Sequence, residues 1–278
     1  MSIIPKHNAV ILLEDGTFFY GYGVGAKGLT TGEVCFNTGL TGYQETLTDP
    51  SYHRQLITFT FPHIGNVGVN KFDMESKKVF ATGAILACEI TNPSNYRSEN
   101  HFDNWLRENK IVAISGVDTR ALTLHIRKNG AQNGVIHNLR DDQTFDFDLL
   151  KQELAKTPSM EGLELASEVS TDKDYKWREG GWNFDLNSYK TTKGGKNKVV
   201  AIDYGIKTNI LRNLAELGCD ITVVPCDTPA QQIIDMQPDG IFLSNGPGDP
   251  SSTAEYSSEI ISKLVESDIP VFGICLGH

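Results

Sequence analysis

No C-x-x-C pair occurs in this sequence. Its five cysteines, Cys35, Cys88, Cys219, Cys226 and Cys275, are odd in number, and no histidine completes a zinc set beside Cys219 and Cys226. That spacing argues against a structural zinc site or a disulfide framework, and a reducing, cytoplasmic compartment is the expectation. Long apolar runs are also missing. None approaches the roughly 18 residues needed to cross a bilayer. The run that follows Met1-Ser2-Ile3-Ile4-Pro5-Lys6-His7 ends at Glu14-Asp15, too soon for the apolar part of a signal peptide. No membrane association is expected. Positive charge is scarce, with 25 Lys and Arg against 35 Asp and Glu and a net charge of −10. Binding a phosphate backbone needs clustered Lys and Arg, so no nucleic-acid partner is expected. A neutral or zwitterionic substrate, or a protein partner, fits better.

Nucleotide and metal signatures are equally thin. No Walker-type G-x-x-x-x-G-K-[ST] occurs. Gly23-Val24-Gly25-Ala26-Lys27-Gly28 has the G-x-G-x-x-G spacing, but Leu29-Thr30-Thr31-Gly32 offers no helix after it, so it reads as a glycine-rich turn. The seven histidines show no metal-ligand spacing. What is present is an ordinary globular composition, 39% hydrophobic and 22% charged, which excludes a disordered chain. The 278 residues suffice for two domains.

The first part predicts short strands and turns: strands over 9–13, 17–22, 56–61 and 111–115, and helices over 101–109 and 118–128, the latter ended by Asn129-Gly130. The expectation is a compact α/β, β-rich domain over 1–183. Residues 184–197 turn polar and end in Thr191-Thr192-Lys193-Gly194-Gly195-Lys196-Asn197, a linker composition. From 198 to 278 strands and helices alternate. Strands are expected over 198–202, 221–224, 240–243 and 270–274. Helices are expected over 207–217, over 228–236 with Thr228 as N-cap, and over 253–267. Four- or five-residue apolar strands separated by helices predict a parallel sheet covered on both faces, with ligands at the carboxyl ends of its strands.

Two glycine-rich loops fall at such ends. Gly273-Ile274-Cys275-Leu276-Gly277-His278 is a G-x-C-x-G form of the nucleophile elbow. Glycines two before and two after Cys275 remove side chains that would clash in a tight turn. The thiol would then stand out of the sheet, with the Leu276 N–H where an oxyanion forms. The ordinary alternative is a buried structural cysteine closing a strand. Ser244-Asn245-Gly246-Pro247-Gly248-Asp249-Pro250 follows the preceding strand, and the Gly246 N–H could supply the other half of an oxyanion hole. Read alone, it is equally a common tight turn.

Together these two motifs resemble a class I, triad-type glutamine amidotransferase domain with a flavodoxin-like core. The N-terminal part narrows the resemblance. Gly32-Glu33-Val34, Phe36-Asn37-Thr38, Thr41-Gly42-Tyr43-Gln44-Glu45, Thr48-Asp49-Pro50-Ser51-Tyr52 and Pro62-His63-Ile64-Gly65-Asn66-Val67-Gly68 are similar to the small chain of carbamoyl-phosphate synthetase. So are Asp118-Thr119-Arg120-Ala121-Leu122-Thr123 and Gly130-Ala131-Gln132-Asn133-Gly134.

The resemblance implies that Cys275 attacks the side-chain amide of L-glutamine to form a thioester, releasing ammonia and then glutamate. It implies that Leu276 and Gly246 hold the oxyanion, that Gly248 contacts the substrate, and that Ser51 reaches the substrate's amino-acid end. From its neighbours alone, Ser51 is a turn residue after Asp49-Pro50. The implied partner is a large subunit, expected to carry ATP and magnesium; no cofactor is expected on this chain. The heterodimer would make carbamoyl phosphate for arginine and pyrimidine biosynthesis. The family's histidine base and its carboxylate lie downstream of the nucleophile, whereas this sequence ends at His278, too close to Cys275 along the turn to serve as base. The chain therefore reads as a fragment that would be inactive alone. The competing reading is a non-catalytic docking module for the large subunit.

Overall fold

Ala9–Leu13 (AVILL) is buried along its whole length, and the reason is two-sided packing. Ala9, Ile11 and Leu13 face a cluster that includes Val34, Leu56, Ile85, Ile114 and Ile136. Val10 and Leu12 face Leu150 and Leu154 on the other side. A strand apolar on both faces is one that is covered on both. The computed structural model describes residues 7–140 and 144–278. The described chain divides into two units.

The first unit comprises the residues up to Thr48, Arg54–Met74 and Val79–Ser159. Its strands are β1 (Ala9–Leu13), β2 (Phe18–Gly25), β3 (Gly28–Asn37), β4 (Gln55–Phe59), β5 (Gly83–Ile85), β6 (Val112–Ser115) and β7 (Gln132–Asn138). They form a closed barrel in the order β1-β2-β6-β5-β4-β3-β7, with β7 returning to pair with β1. Its helices are α1 (Tyr43–Thr48), α2 (Phe102–Glu108), α3 (Thr119–Asn129) and α4 (Phe147–Ala155). α3 starts where the Asp118 carboxylate accepts the Ala121 N–H and stops at Gly130, at φ 92°. Its Leu122 and Ile126 join the barrel cluster.

The expected strands and helices of this half are all present, but β3, β5 and β7 are additions. β7 is polar in sequence yet buried throughout, and its amide NH2 groups find internal acceptors: Asn138 donates to the Val24 and Ala26 carbonyls, and Asn133 to Glu14. The glycine-rich stretch is a correction. Gly23 and Gly25 lie within β2 and Gly28 opens β3, so only Ala26-Lys27 turns.

The second unit comprises Asp49–His53, Glu75–Lys78 and Met160–His278. It contains the short helix α5 (Ala166–Val169), β8 (Tyr175–Lys176), and the hairpin β9 (Glu179–Asn183) with β10 (Ser188–Thr191). Then follow β11 (Asn197–Asp203), α6 (Thr208–Glu216), β12 (Cys219–Pro225), α7 (Ala230–Asp235), β13 (Gly240–Leu243), α8 (Pro250–Glu266) and β14 (Val271–Gly273). The sheet order is β14-β13-β11-β12-β8, parallel except for β8. One face packs on α7 and α8 through Val200, Ile202, Ile233, Ile241 and Leu264. The other packs on α6 through Ala201, Leu211, Ala215, Val223 and Phe242. That double cover explains the continuous apolar strands and matches the parallel-sheet expectation.

The boundary differs from the expected one. The continuous stretch of the second unit runs from Met160, and residues 188–191 are a strand rather than part of a linker. The polar stretch is held by long-range contacts that composition does not reveal. Arg212 stacks on the Tyr189 ring at 3.6 Å and pairs with Glu179 at 3.0 Å. Two helix starts also move. Pro229 rather than Thr228 is the α7 N-cap, the Thr228 hydroxyl donating instead to the Pro225 carbonyl. α8 begins at Pro250 on an Asp249 cap, earlier than expected, because Asp-Pro supplies both an N-cap acceptor and a first-turn residue with no N–H to satisfy.

The barrel packing makes a prediction. Leu56→Ala should cost about 2–5 kcal/mol in urea unfolding by leaving a cavity in a filled core. Leu124→Ala, on the exposed side of α3 at 51% exposure, should stay within about 0.5 kcal/mol. Equal losses from the two would contradict the assigned core.

Candidate active site

β14 ends at Gly273, and Ile274 continues extended, its N–H bonding the Leu243 carbonyl at 3.1 Å. The backbone then reverses. Cys275 sits at φ 56°, left-handed for a residue with a side chain, and a single 3-10 turn spans Cys275–Gly277. Such a conformation persists only where its surroundings enforce it. Here the Gly277 N–H donates to the Ser244 and Ile274 carbonyls, both at 3.1 Å, and the His278 N–H donates to the Cys275 carbonyl at 3.0 Å. A Cβ on Gly277 would lie 2.4 Å from the Leu243 carbonyl oxygen, so no other residue lets the turn fold back onto β13. The Cys275 thiol is free and exposed. By contrast, burial pushes the Cys35 thiol up to about 12 and raises those of Cys219 and Cys226.

The loop after β13 closes the other side. The Ser244 hydroxyl accepts the Tyr204 N–H at 2.9 Å and donates to the Asn245 carbonyl. Gly246 lies so close to its neighbours that a Cβ would be 2.1 Å from the Tyr204 carbonyl oxygen and 2.8 Å from Leu276 Cδ2. Gly246 and the Leu276 side chain therefore lie against each other. Gly248 lies further along the same loop. It bridges to Glu164 at φ 90°, against Leu163.

A cavity of about 580 Å3 opens beside Cys275 and Ile274, with Ser51, Asn245, Lys207 and Glu75 among the residues lining it. Ser51 arrives on a 3-10 turn, Pro50–Tyr52, whose cap is Asp49: one carboxylate oxygen accepts the Ser51 N–H at 2.9 Å. Asn245 then ties three segments together. Its amide nitrogen donates to the Ser51 hydroxyl and to the Gly205 carbonyl, both at 2.8 Å, and its amide oxygen accepts the Lys207 N–H at 3.2 Å. Of the expected site residues, Cys275 and Ser51 line this cavity, Leu276 and Gly246 adjoin the elbow, and Gly248 is not among the lining residues. Neither is any histidine, His278 included.

The charged part of the wall was not foreseen. Asp49 is 2% exposed and its carboxylate meets Lys207 Nζ at 3.0 Å. Burial works against the Lys207 charge, yet Asp49 and Glu75 hold its pKa above the usual value. Glu75 caps α6, accepting the Asn209 N–H at 2.9 Å through its side chain and the Thr208 N–H through its carbonyl. Burial raises the Glu75 pKa against the opposing pull of that N–H and of Lys207. Asp-Pro-Ser was visible as a capped turn, but the Asp49–Lys207 pair joins segments far apart in sequence. Among the described residues, no group of three or more His, Cys, Asp or Glu could hold a metal ion, and no helix is long and apolar enough to cross a membrane.

Comparison with known proteins follows this division. Residues 11–136 match the family described as carbamoyl-phosphate synthase small chain, CPSase domain, and residues 200–278 match glutamine amidotransferase class-I. The chain is similar to the carbamoyl phosphate synthase small chain of Mesorhizobium japonicum, 52% identical over 277 residues that span 98% of this chain and 69% of the relative. The small chain of Bradyrhizobium diazoefficiens is 51% identical with the same coverage. That of Xanthomonas campestris pv. campestris is 49% identical over 270 residues, 97% of this chain and 70% of the relative.

The raised Glu75 pKa predicts a pH dependence. A carboxyl raised by folding keeps its proton where the unfolded chain has lost it. Its contribution to stability is therefore full below the unfolded value near 4.3 and declines as pH rises through the folded value. Glu75→Gln keeps an acceptor for the Asn209 N–H but removes this decline. The melting temperature of the variant should gain on the parent as pH is raised from about 4 to 7. A difference that is flat with pH would show that Glu75 does not titrate in this way.

Proposed function

The chain belongs to the carbamoyl-phosphate synthase small-chain family, and from that premise we propose that it hydrolyses glutamine for the synthase, with Cys275 as nucleophile. The observation that carries this reading is the exposed Cys275 thiol, held at φ 56° on a glycine-flanked elbow and opening onto the cavity that Ser51 also lines.

The thiolate attacks the side-chain amide carbon of L-glutamine, and negative charge develops on the amide oxygen. The neighbouring N–H groups of Leu276 and Gly246 stabilise that oxyanion. The C–N bond breaks as the nitrogen gains a proton, ammonia leaves, and a γ-glutamyl thioester remains. Water then attacks the thioester, releasing glutamate and restoring the thiol. Ser51 holds the amino-acid end of the substrate, and Gly248 shapes the loop at the substrate's edge. No histidine lines the cavity, so this reading assigns the base to none of the lining residues. Ammonia passes to a large-subunit partner that binds ATP and magnesium and uses bicarbonate to make carbamoyl phosphate, for arginine and pyrimidine synthesis in the cytoplasm.

The second reading is that this chain docks on the large subunit and does no chemistry. Paired assays separate the two. With the large subunit present, Cys275→Ser should abolish glutamine-dependent carbamoyl phosphate synthesis and leave ammonia-dependent synthesis at the parent rate. Glutamine hydrolysis by the serine variant at the parent rate would remove Cys275 from the mechanism. A parent complex with no glutamine-dependent rate would favour docking.

A second outcome concerns Ser51. Ser51→Ala should raise the KM for glutamine about tenfold, the loss of one hydrogen bond to a charged group. An unchanged KM would show that the Ser51 hydroxyl only accepts the Asn245 amide.

A further inference from the structure

Asp203 closes β11 and is 5% exposed. A carboxylate this deep in a parallel sheet is costly unless it is fully bonded. One of its oxygens accepts the N–H groups of Gly205 at 2.9 Å and Ile206 at 2.8 Å, and the other accepts the Thr171 N–H at 2.9 Å. Burial pushes the Asp203 pKa up, and these three N–H groups pull against it. The bonds fold residues 203–207 into a tight turn with Gly205 at φ 122°.

That turn is where the parts of the cavity meet. A Cβ on Gly205 would lie 3.0 Å from Pro247 Cδ and 3.2 Å from Pro50 Cβ, so the Gly246 loop and the Ser51 turn both rest on it. The Gly205 carbonyl accepts the Asn245 amide that also binds the Ser51 hydroxyl. The Tyr204 N–H binds the Ser244 hydroxyl, and the Tyr204 carbonyl crowds Gly246. Lys207, at the end of the turn, reaches Asp49.

We propose that Asp203 is a positioning residue for glutamine hydrolysis: by folding the 203–207 turn, it sets the Ser51 turn and the Gly246 loop against each other across the cavity beside Cys275. This rests on the amidotransferase reading above. Asp203 touches no reacting atom. Its effect falls on the Ser51 turn and the Gly246 loop, whereas the Cys275 elbow, tied to Leu243 and Ser244 by its own bonds, stays intact.

The test uses Asp203→Ala, which removes all three acceptors, and Asp203→Asn, which keeps an oxygen for Gly205 and Ile206 but loses the Thr171 bond. Amide hydrogen exchange is read on the whole chain. In Asp203→Ala it should rise at least tenfold in residues 49–53 and 245–248, while Cys219–Pro225 of β12 keeps its parent protection. Asp203→Asn should show the same pattern more weakly, and it carries the test if the alanine variant does not fold. No rise, or an equal rise in β12, overturns the proposal. In the complex with the large subunit, KM for glutamine should rise about tenfold, as for one lost substrate hydrogen bond. The rate of Cys275 alkylation by iodoacetamide should stay within twofold of the parent. An unchanged KM, or KM and alkylation failing together, likewise overturns it. A parent complex that hydrolyses no glutamine would instead count against the proposed function, and the exchange pattern alone would then decide the role of Asp203.

Discussion

Backbone crowding at the carboxyl end of the parallel sheet is the constraint on which the candidate site depends. β13 and β14 finish side by side, and the chain leaving β14 must fold back over β13 within three residues. It can do so only because Gly277 presents no Cβ to the Leu243 carbonyl. The return places the Gly277 N–H on the Ser244 carbonyl, and that bond holds Cys275 in a left-handed conformation a cysteine would not choose. Within the elbow, strain of this kind falls on Cys275 and is balanced by the ladder and turn bonds on either side of it. The same crowding brings Gly246 against the Leu276 side chain, next to an exposed thiol.

The walls of the cavity follow a different rule. Asp49, Glu75 and Asp203 are carboxylates withdrawn from water, and each is matched by the half-exposed Lys207 or by backbone N–H groups. Burying charges in this way contributes little net stability and can cost some. What such groups supply is direction, since a carboxylate that accepts two or three defined N–H groups permits few backbone paths. The barrel of the first unit shows the opposite economy. Its interior is aliphatic, and the polar residues of β7 are spent on closing the sheet around Asn133 and Asn138.

Much of the fold was legible in local sequence. The apolar run at 9–13, the Asp118 and Gly130 ends of α3, and the strand spacing from 198 onward each state their structure within a few residues. The polar strand β7 was not legible, because its burial depends on partners more than a hundred positions away. The hairpin at 179–191 was not legible either, because its anchors lie outside it, on α6.

The candidate site divides along the same line. Sequence alone determined the elbow, because glycine spacing around Cys275 and a preceding apolar strand are local requirements of a tight turn. It also supplied the family, through motifs carried along nearly the whole chain. Only the tertiary structure decided that Ser51 and Cys275 share a cavity, that Gly248 is not among the residues lining it, and that Asp49, Lys207 and Glu75 form its charged wall. The bond from Asn245 to Ser51 spans 194 positions. The entropy of closing so long a loop is offset by the folding of the whole unit, and no local pattern records which two residues will meet.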